Sequence, residues 1–362
     1  MKLMKKFILF KDTMKSSIAS QTVDKKDISV ETEEYSSRCC KSSTSPRHFS
    51  SALIESAMKA DTMKIREILQ SDPLANPDSK DHSGFSPLMI SASIGNAEAI
   101  GVLLEYKASI DDVNADGCSA LTLAATNGHE RCVEKLVKHG ANSNLVNRNG
   151  LSAVMVAVEN DSLQIVKVLF EEGNADVELK FPSGNTPLSR VCSLGYSDWV
   201  KFLIEQCQAN IEARNDDENT PLMEAARCGN IRTVDMLLDY GAKIGERNKA
   251  GKTATMLAFE NDFMETTALL LRRGANVNDA DLVFGRTMLH WAAAAGKAWK
   301  IKFLLSKGAN ATITDQRGQS AFAIACGNGQ SDCVRILTQN MEKSVKKTTD
   351  SLKLMRRTTN LA

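Results

Sequence analysis

The residues best suited to chemistry are sparse in this chain and poorly spaced for it. Gly251-Lys252-Thr253 has the ending of a phosphate-binding loop, but G-x-x-x-x-G-K-T requires glycine at 246, where Glu246 stands, and no strand pattern precedes it. Cys118, His129 and Cys132 invite a zinc site, yet a structural zinc wants four ligands. Helical spacing also puts His129 in a turn and Cys132 on a buried stripe. No Ser-His-Asp or Cys-His arrangement remains once such residues are assigned to packing positions. Arg356-Arg357-Thr358-Thr359 has the form of a basophilic kinase substrate, which makes Thr358 and Thr359 candidates for phosphorylation and partial cancellation of local charge. The expectation is a non-enzymatic protein with no cofactor, metal or catalytic residue.

The elements that position these residues come from a chain of 362 residues, 25% charged and 5% aromatic. No apolar run reaches the roughly 18 residues of a membrane span. Phe7-Ile8-Leu9-Phe10, behind Lys5 and Lys6, is shorter than a secretory core of about 7 residues or more. Nine cysteines, odd in number and without a C-x-x-C pair, read as reduced thiols in the cytoplasm rather than as a disulfide framework.

Self-similarity dominates the rest. Gly84-Phe85-Ser86-Pro87-Leu88, Gly184-Asn185-Thr186-Pro187-Leu188 and Glu218-Asn219-Thr220-Pro221-Leu222 are one phrase written three times. Weaker copies begin at Gly117, Gly150, Gly251, Gly285 and Gly318, so successive starts lie 33 or 34 residues apart. Ser86, Thr186 and Thr220 stand where a hydroxyl accepts from an orphan backbone N–H, and the following proline sits at the first helical position, where its missing N–H costs nothing. A short alanine-rich helix follows, then a glycine such as Gly95 or Gly195. A second helix comes next, with one apolar stripe, as in Val234, Leu237 and Leu238 or Ile301, Leu304 and Leu305.

This pattern resembles the ankyrin repeat, whose period is about 33 residues and whose phrase includes T-P-L-H-x-A. The resemblance runs over roughly residues 49–340 and implies an all-α solenoid. Residues 49–80 would form a degenerate cap, with Ala52-Leu53-Ile54 and Ala57 on one helix and Ile65, Ile68 and Leu69 on the next; about eight repeats follow. His290 is the one histidine retained from the tetrapeptide, and Trp291 and Trp199 read as packing residues. Ala153, Ala254 and Ala321 replace the phrase proline, so the units around 150, 251 and 318 are expected to be the softest. Additional residues fall near Gly173-Asn174-Ala175-Asp176 and within the apolar stretch Asp279 to Phe284.

A solenoid of this kind implies a non-catalytic scaffold or adaptor, monomeric, that binds a protein partner through its fingers and the outer face of each first helix. Those positions hold His82, Phe85 and Ile94, then Arg148 and Leu151, then Phe181, Pro182 and Leu194. Asp216, Asp217, Arg227, Lys249 and Lys252 continue the strip, and Val283, Phe284, Arg286, Gln316, Arg317 and Asn328 complete it. Phe85, Leu151, Phe181, Leu194 and Phe284 are expected to be apolar anchors. Trp299, on a normally polar helix face, is a further candidate contact.

The flanks are basic. Residues 1–48 hold ten Lys or Arg against six Asp or Glu, and residues 341–362 hold six against two, which leaves the repeats at −7. Nucleic-acid binding by so acidic a body is not expected. The alternative role is a peripheral membrane or cytoskeletal adaptor recruited by these arms, in which residues 1–15 form a short basic amphipathic helix and Cys39-Cys40 carries an acyl anchor. A charged leader too poor in apolar residues to order itself is the plainer expectation for residues 1–48, and residues 341–362 are expected to be a basic tail, disordered or helical. Asp12 and the lysine bias argue against a mitochondrial address.

Overall fold

The computed structural model describes residues 46–72 and 75–342. The basic segment 1–15, Cys39, Cys40, Thr358 and Thr359 lie outside the described residues.

Helices come in pairs. α1 (Pro46–Met58) and α2 (Thr62–Ser71) are followed by α3 (Pro87–Ile94) with α4 (Ala97–Glu105) and α5 (Ala120–Thr126) with α6 (Glu130–Lys138). Next come α7 (Ala153–Glu159) with α8 (Leu163–Glu171), α9 (Pro187–Leu194) with α10 (Ser197–Glu205), and α11 (Pro221–Arg227) with α12 (Ile231–Asp239). The series ends with α13 (Ala254–Glu260) and α14 (Met264–Arg272), α15 (Met288–Ala294) and α16 (Ala298–Ser306), and α17 (Ala321–Gly327) with α18 over 331–342. From α3 on α5 to α15 on α17, first helices stack on first helices. Single helices of seven to nine residues are too short to hold alone, so the stack stabilises each of them.

Each first helix starts as the phrase dictates. Ser86 accepts from Met89 N–H, Thr186 from Ser189 N–H and Thr220 from Met223 N–H. Where proline is missing the cap survives: Ser152, Thr253 and Ser320 accept in the same way from Met155, Met256 and Ala323. Leu88, Leu121, Leu188, Leu222 and Leu289 are buried, as are Leu53, Ala57, Ile65, Ile68 and Leu69 in the first pair.

The backbone must turn left-handed three times per repeat. Among the described residues seven with side chains do so, all at positions that glycine fills in other repeats. Ala60, Asp161 and Asp262 lie between paired helices; Lys107, Asn174 and Gln208 follow a second helix; Glu218, at φ 59°, sits at a finger tip. Repeat geometry thus imposes the conformation whether or not the residue favours it. The additional residue near 174 is absorbed by Gly173, which lets Asn174 take the left-handed place.

Between pairs the chain forms fingers pinned by an Asp or Asn. Oδ1 of Asn114 accepts from Asp116 N–H and Cys118 N–H at 3.0 and 2.9 Å, and Asp81, Asn147, Asn215, Asn248 and Asp315 repeat the arrangement. Adjacent fingers are also joined through their backbones. Ala115 N–H donates to Ser83 C=O, Arg148 to Asp116, Lys249 to Asp217, Leu282 to Ala250 and Gln316 to Phe284, at 2.9 to 3.3 Å. In the fourth finger the donor's place is held by Pro182, which has no N–H to give. There the apposed helices α7 and α9 carry instead an ion pair, Arg190 Nε and Nη2 donating to the two oxygens of Glu159 at 2.6 and 2.8 Å.

Candidate functional site

The finger side combines three kinds of position: the finger tips, the fourth residue of each first helix and the last residues of that helix. At the tips, Phe85 and Leu151 are half-buried, with backbone N–H groups fixed by Asp81 and Asn147. At the helix ends, Ile94 is exposed and Leu194 half-buried. Both occupy the place where Asn127, Asn160 and Asn328 reach back to the preceding repeat.

Phe181 departs from the expectation of an exposed anchor. It is 6% exposed, because it stands in the register of the pinning Asp or Asn, where the side chain turns under the finger. Its ring fills space that a short polar side chain occupies elsewhere.

Arg227 is exposed and donates to Glu224 Oε2 at 2.5 Å. Glu224 is itself buried and further accepts from Asn215 Nδ2 and Asn219 Nδ2 at 3.0 and 2.8 Å. Asn215 also donates to Asn185, and Asn248 donates to Asn219, so one carboxylate anchors a line of amides across three fingers. Arg190 and Glu224 occupy the fourth helical position, which is Leu123, Val156, Leu257 or Ile324 in other repeats. That exchange of apolar for charged residues is visible in the sequence, although neither residue is an exposed aromatic or aliphatic of the kind that marks an anchor.

The seventh finger is one residue longer than the others. Asp281 N–H reaches Arg286 C=O at 3.0 Å, and Phe284 N–H donates to Asp281 Oδ1 at 2.7 Å. The inserted residue lifts Leu282, Val283 and Phe284 outward, at 65%, 54% and 49% exposure. Behind the finger lies a cavity of about 460 Å³, lined among others by Lys252, Phe284, Arg286, Trp291 and Lys297. Trp291 packs against the core, as its place beside His290 implies, and also lines the cavity. It is half-buried, turns toward the cavity, and donates from Nε1 to Asp281 Oδ2 at 3.2 Å. Lys252 Nζ lies 5.4 Å from its ring centroid while pairing with Glu260 at 2.6 Å. Arg286 donates to the buried Asp315 at 3.1 Å and lies 5.5 Å from the Phe284 ring.

Lys300, also on the wall, is buried in a second-helix core position; it donates to Phe259 C=O at 2.7 Å and to Asp262 at 2.6 Å. Lys300 and Lys297 together hold the Asp262 carboxyl down at about 2. Trp299 is 53% exposed but belongs to α16, where it lines a separate hollow with Lys302 and Arg335.

The residues that suggested chemistry have structural partners. Gly251-Lys252-Thr253 runs from a finger tip into the α13 cap. His129 Nε2 lies 3.1 Å from Ser93 C=O in a turn, and burial pushes the Cys132 thiol up to about 11. Among the described residues, no group of three or more His, Cys, Asp or Glu is placed to hold a metal. No helix there is long and apolar enough to cross a membrane.

The paired helices, the left-handed glycine positions and the pinned fingers agree with a profile described as Ankyrin repeats (3 copies), which matches residues 53–147, 88–181, 154–248, 241–315 and 289–354. The chain belongs to the ankyrin-repeat family. It is 32% identical over 111 residues to a Caenorhabditis elegans transient receptor potential cation channel subfamily A member 1 homolog, covering 31% of this chain and 9% of that protein. Human ankyrin repeat domain-containing protein 63 is 32% identical over 111 residues, 30% of this chain and 29% of its own length. A rice protein named as a probable E3 ubiquitin-protein ligase, XBOS33, is 39% identical over 82 residues, 23% of this chain and 16% of that one. The matched stretches therefore span under a third of each of these relatives. The crystal structure of the human ASB11 ankyrin repeat domain aligns with a TM-score of 0.53 at 26% identity, covering 62% of this chain and 98% of that one. Ankyrin repeats generally serve as protein–protein interaction modules, and relatives as different as a channel homolog and a ligase carry them on one scaffold.

Proposed function

We propose that this chain is a non-catalytic cytoplasmic adaptor that holds a partner protein along the finger side of its ankyrin repeats. The observation that carries this reading is the seventh finger, where Leu282, Val283 and Phe284 stand exposed beside a cavity whose walls mix aromatic and charged side chains. Their backbones help to join the neighbouring fingers, but the three consecutive apolar side chains stand largely in solvent, and such patches on soluble proteins mark interaction surfaces. The seven described cysteines are all free thiols, which fits a reducing compartment. Ile94, Leu194 and Arg227 would extend the contact toward the amino-terminal repeats, and Trp299 would serve a second surface on the helix side.

The test is affinity capture from cell lysate, comparing the full chain with a Val283→Ser, Phe284→Ser variant whose melting curve is unchanged. Loss of captured proteins from the variant supports the reading. Recovery of the same proteins in the same amounts overturns it.

A further inference from the structure

We propose that the cavity behind the seventh finger receives a short acidic segment of the partner polypeptide carrying one large apolar side chain. This rests on the adaptor reading and specifies the partner's chemistry. Three observations carry it.

The first is the finger's insertion, which brings exposed Val283 and Phe284 into the lining of the same cavity as Trp291. Because Trp291 Nε1 is already satisfied by Asp281, the indole offers a ring face and asks for no polar partner. Two apolar walls around about 460 Å³ suit one or two inserted side chains. The exposed surface continues over Leu282 beyond the cavity, so a ligand of side-chain size would leave part of it bare, whereas a chain segment covers it.

The second is the sign of the charge. Lys252, Arg286, Lys297 and Lys300 line the cavity, paired with Glu260, Asp315 and the Asp262 carboxylate that Lys297 and Lys300 share, while Asp281 is engaged by Trp291 and by Phe284 N–H. The neighbouring fingers add exposed Lys249 and Arg317. With the lining charges balanced, Lys249 and Arg317 supply the positive excess around the cavity on repeats whose sequence is −7, so an acidic segment is drawn here and repelled elsewhere on the same body.

The third is the arrangement of those cations. Lys252 stands 5.4 Å from the Trp291 ring and Arg286 5.5 Å from the Phe284 ring, so each positive group borders an aromatic face. An apolar side chain entering between the rings would bring flanking carboxylates up to both cations. Glu260 and Asp315 already hold these cations in place, so little ordering remains when a ligand arrives.

The experiment is selection from a phage-displayed library of random dodecapeptides on the full chain, with counter-selection on the Phe284→Ser variant. The most enriched sequence is then synthesised with a fluorescent label and measured by anisotropy. The expected consensus is a Phe, Trp, Leu or Ile flanked by Asp or Glu, with binding weakened at least tenfold by replacing that apolar residue with Ser. Changing the flanking acids to Lys, or Lys252→Ser in the protein, should weaken it to a similar extent. A consensus without acidic residues, a lysine-flanked peptide that binds equally, or no enrichment at all would overturn the proposal. If captured partners still depend on Val283 and Phe284 while selection fails, the acidic-segment inference falls and the adaptor reading stands; if capture is also indifferent to the finger, both fall.

Discussion

The indole Nε1 of Trp291 and Oδ2 of Asp281, ten residues apart in sequence, lie 3.2 Å from each other and tie helix α15 to the root of the seventh finger. Asp281 is buried and its other oxygen accepts from Phe284 N–H at 2.7 Å. One carboxylate therefore sets both aromatic walls of the cavity.

Asp281→Ala is expected to lower stability by about 1 to 3 kcal/mol, since it strands two donors at once. Trp291→Phe made in that background should cost less than in the native chain, as the shared hydrogen bond is already gone. Urea denaturation of the two single variants and the double variant measures this coupling.

Glu218 holds a left-handed backbone at φ 59° where glycine stands in most fingers. Glu218→Gly should raise stability by about 1 kcal/mol by relieving that conformation. The reverse exchange, Gly184→Glu, should lower it by more, because a Cβ there would fall 2.2 Å from Asp216 Oδ1. Chemical denaturation midpoints of both variants decide the matter.

Glu224→Leu restores the apolar residue found at that register in other repeats, yet it should destabilise by about 2 to 4 kcal/mol. The substitution leaves the Asn215 and Asn219 amides without their acceptor. Adding Arg227→Ala to Glu224→Leu should cost little more, since the arginine's partner has already been removed. Calorimetric melting of the three proteins checks the order.

Burial holds His290 below its ordinary 6.5, so the unfolded chain binds a proton that the folded chain refuses. Stability should consequently fall as pH drops below about 6.5. Asp262 behaves differently. With its carboxyl held at about 2 by Lys300 and Lys297, its contribution persists above about pH 4 and is lost between 4 and 2. Urea titrations across pH 7 to 2 should show both slopes, and Asp262→Asn should reduce only the lower one, to which Asp315 and Glu55 also contribute.

The period, the capping hydroxyls and the buried leucines were legible because each follows from local chemistry repeated every 33 or 34 residues. Even the unit at Ala153 keeps its helix, since Ser152 alone is enough to start it. The site was harder to read for the same reason. A repeat tells which positions face outward on average, and Phe181 stands at a polar position while turning inward. Trp291 packs on the core beside His290 as its register implies, and only the lengthened seventh finger makes its remaining surface part of a cavity wall. Glu224 and Arg190 depart from the repeat in another way, as charged residues at an apolar register, which patterns of exposed aromatics do not reveal.

Pro182 has a consequence for how the array behaves as a whole. Fingers that share an N–H to C=O link transmit order from one repeat to the next, and neither side of the fourth finger carries one: Pro182 has no N–H to give on one side, and Asp216 N–H meets no carbonyl of that finger on the other. Coupling there falls on side chains, prominently the Glu159–Arg190 pair, whose oxygens and nitrogens lie 2.6 and 2.8 Å apart. Backbone links are nearly indifferent to dissolved ions, whereas a partly exposed ion pair is screened by them. Ionic strength therefore acts as a dial on cooperativity, leaving the repeats on either side intact while loosening the join that makes them melt as one.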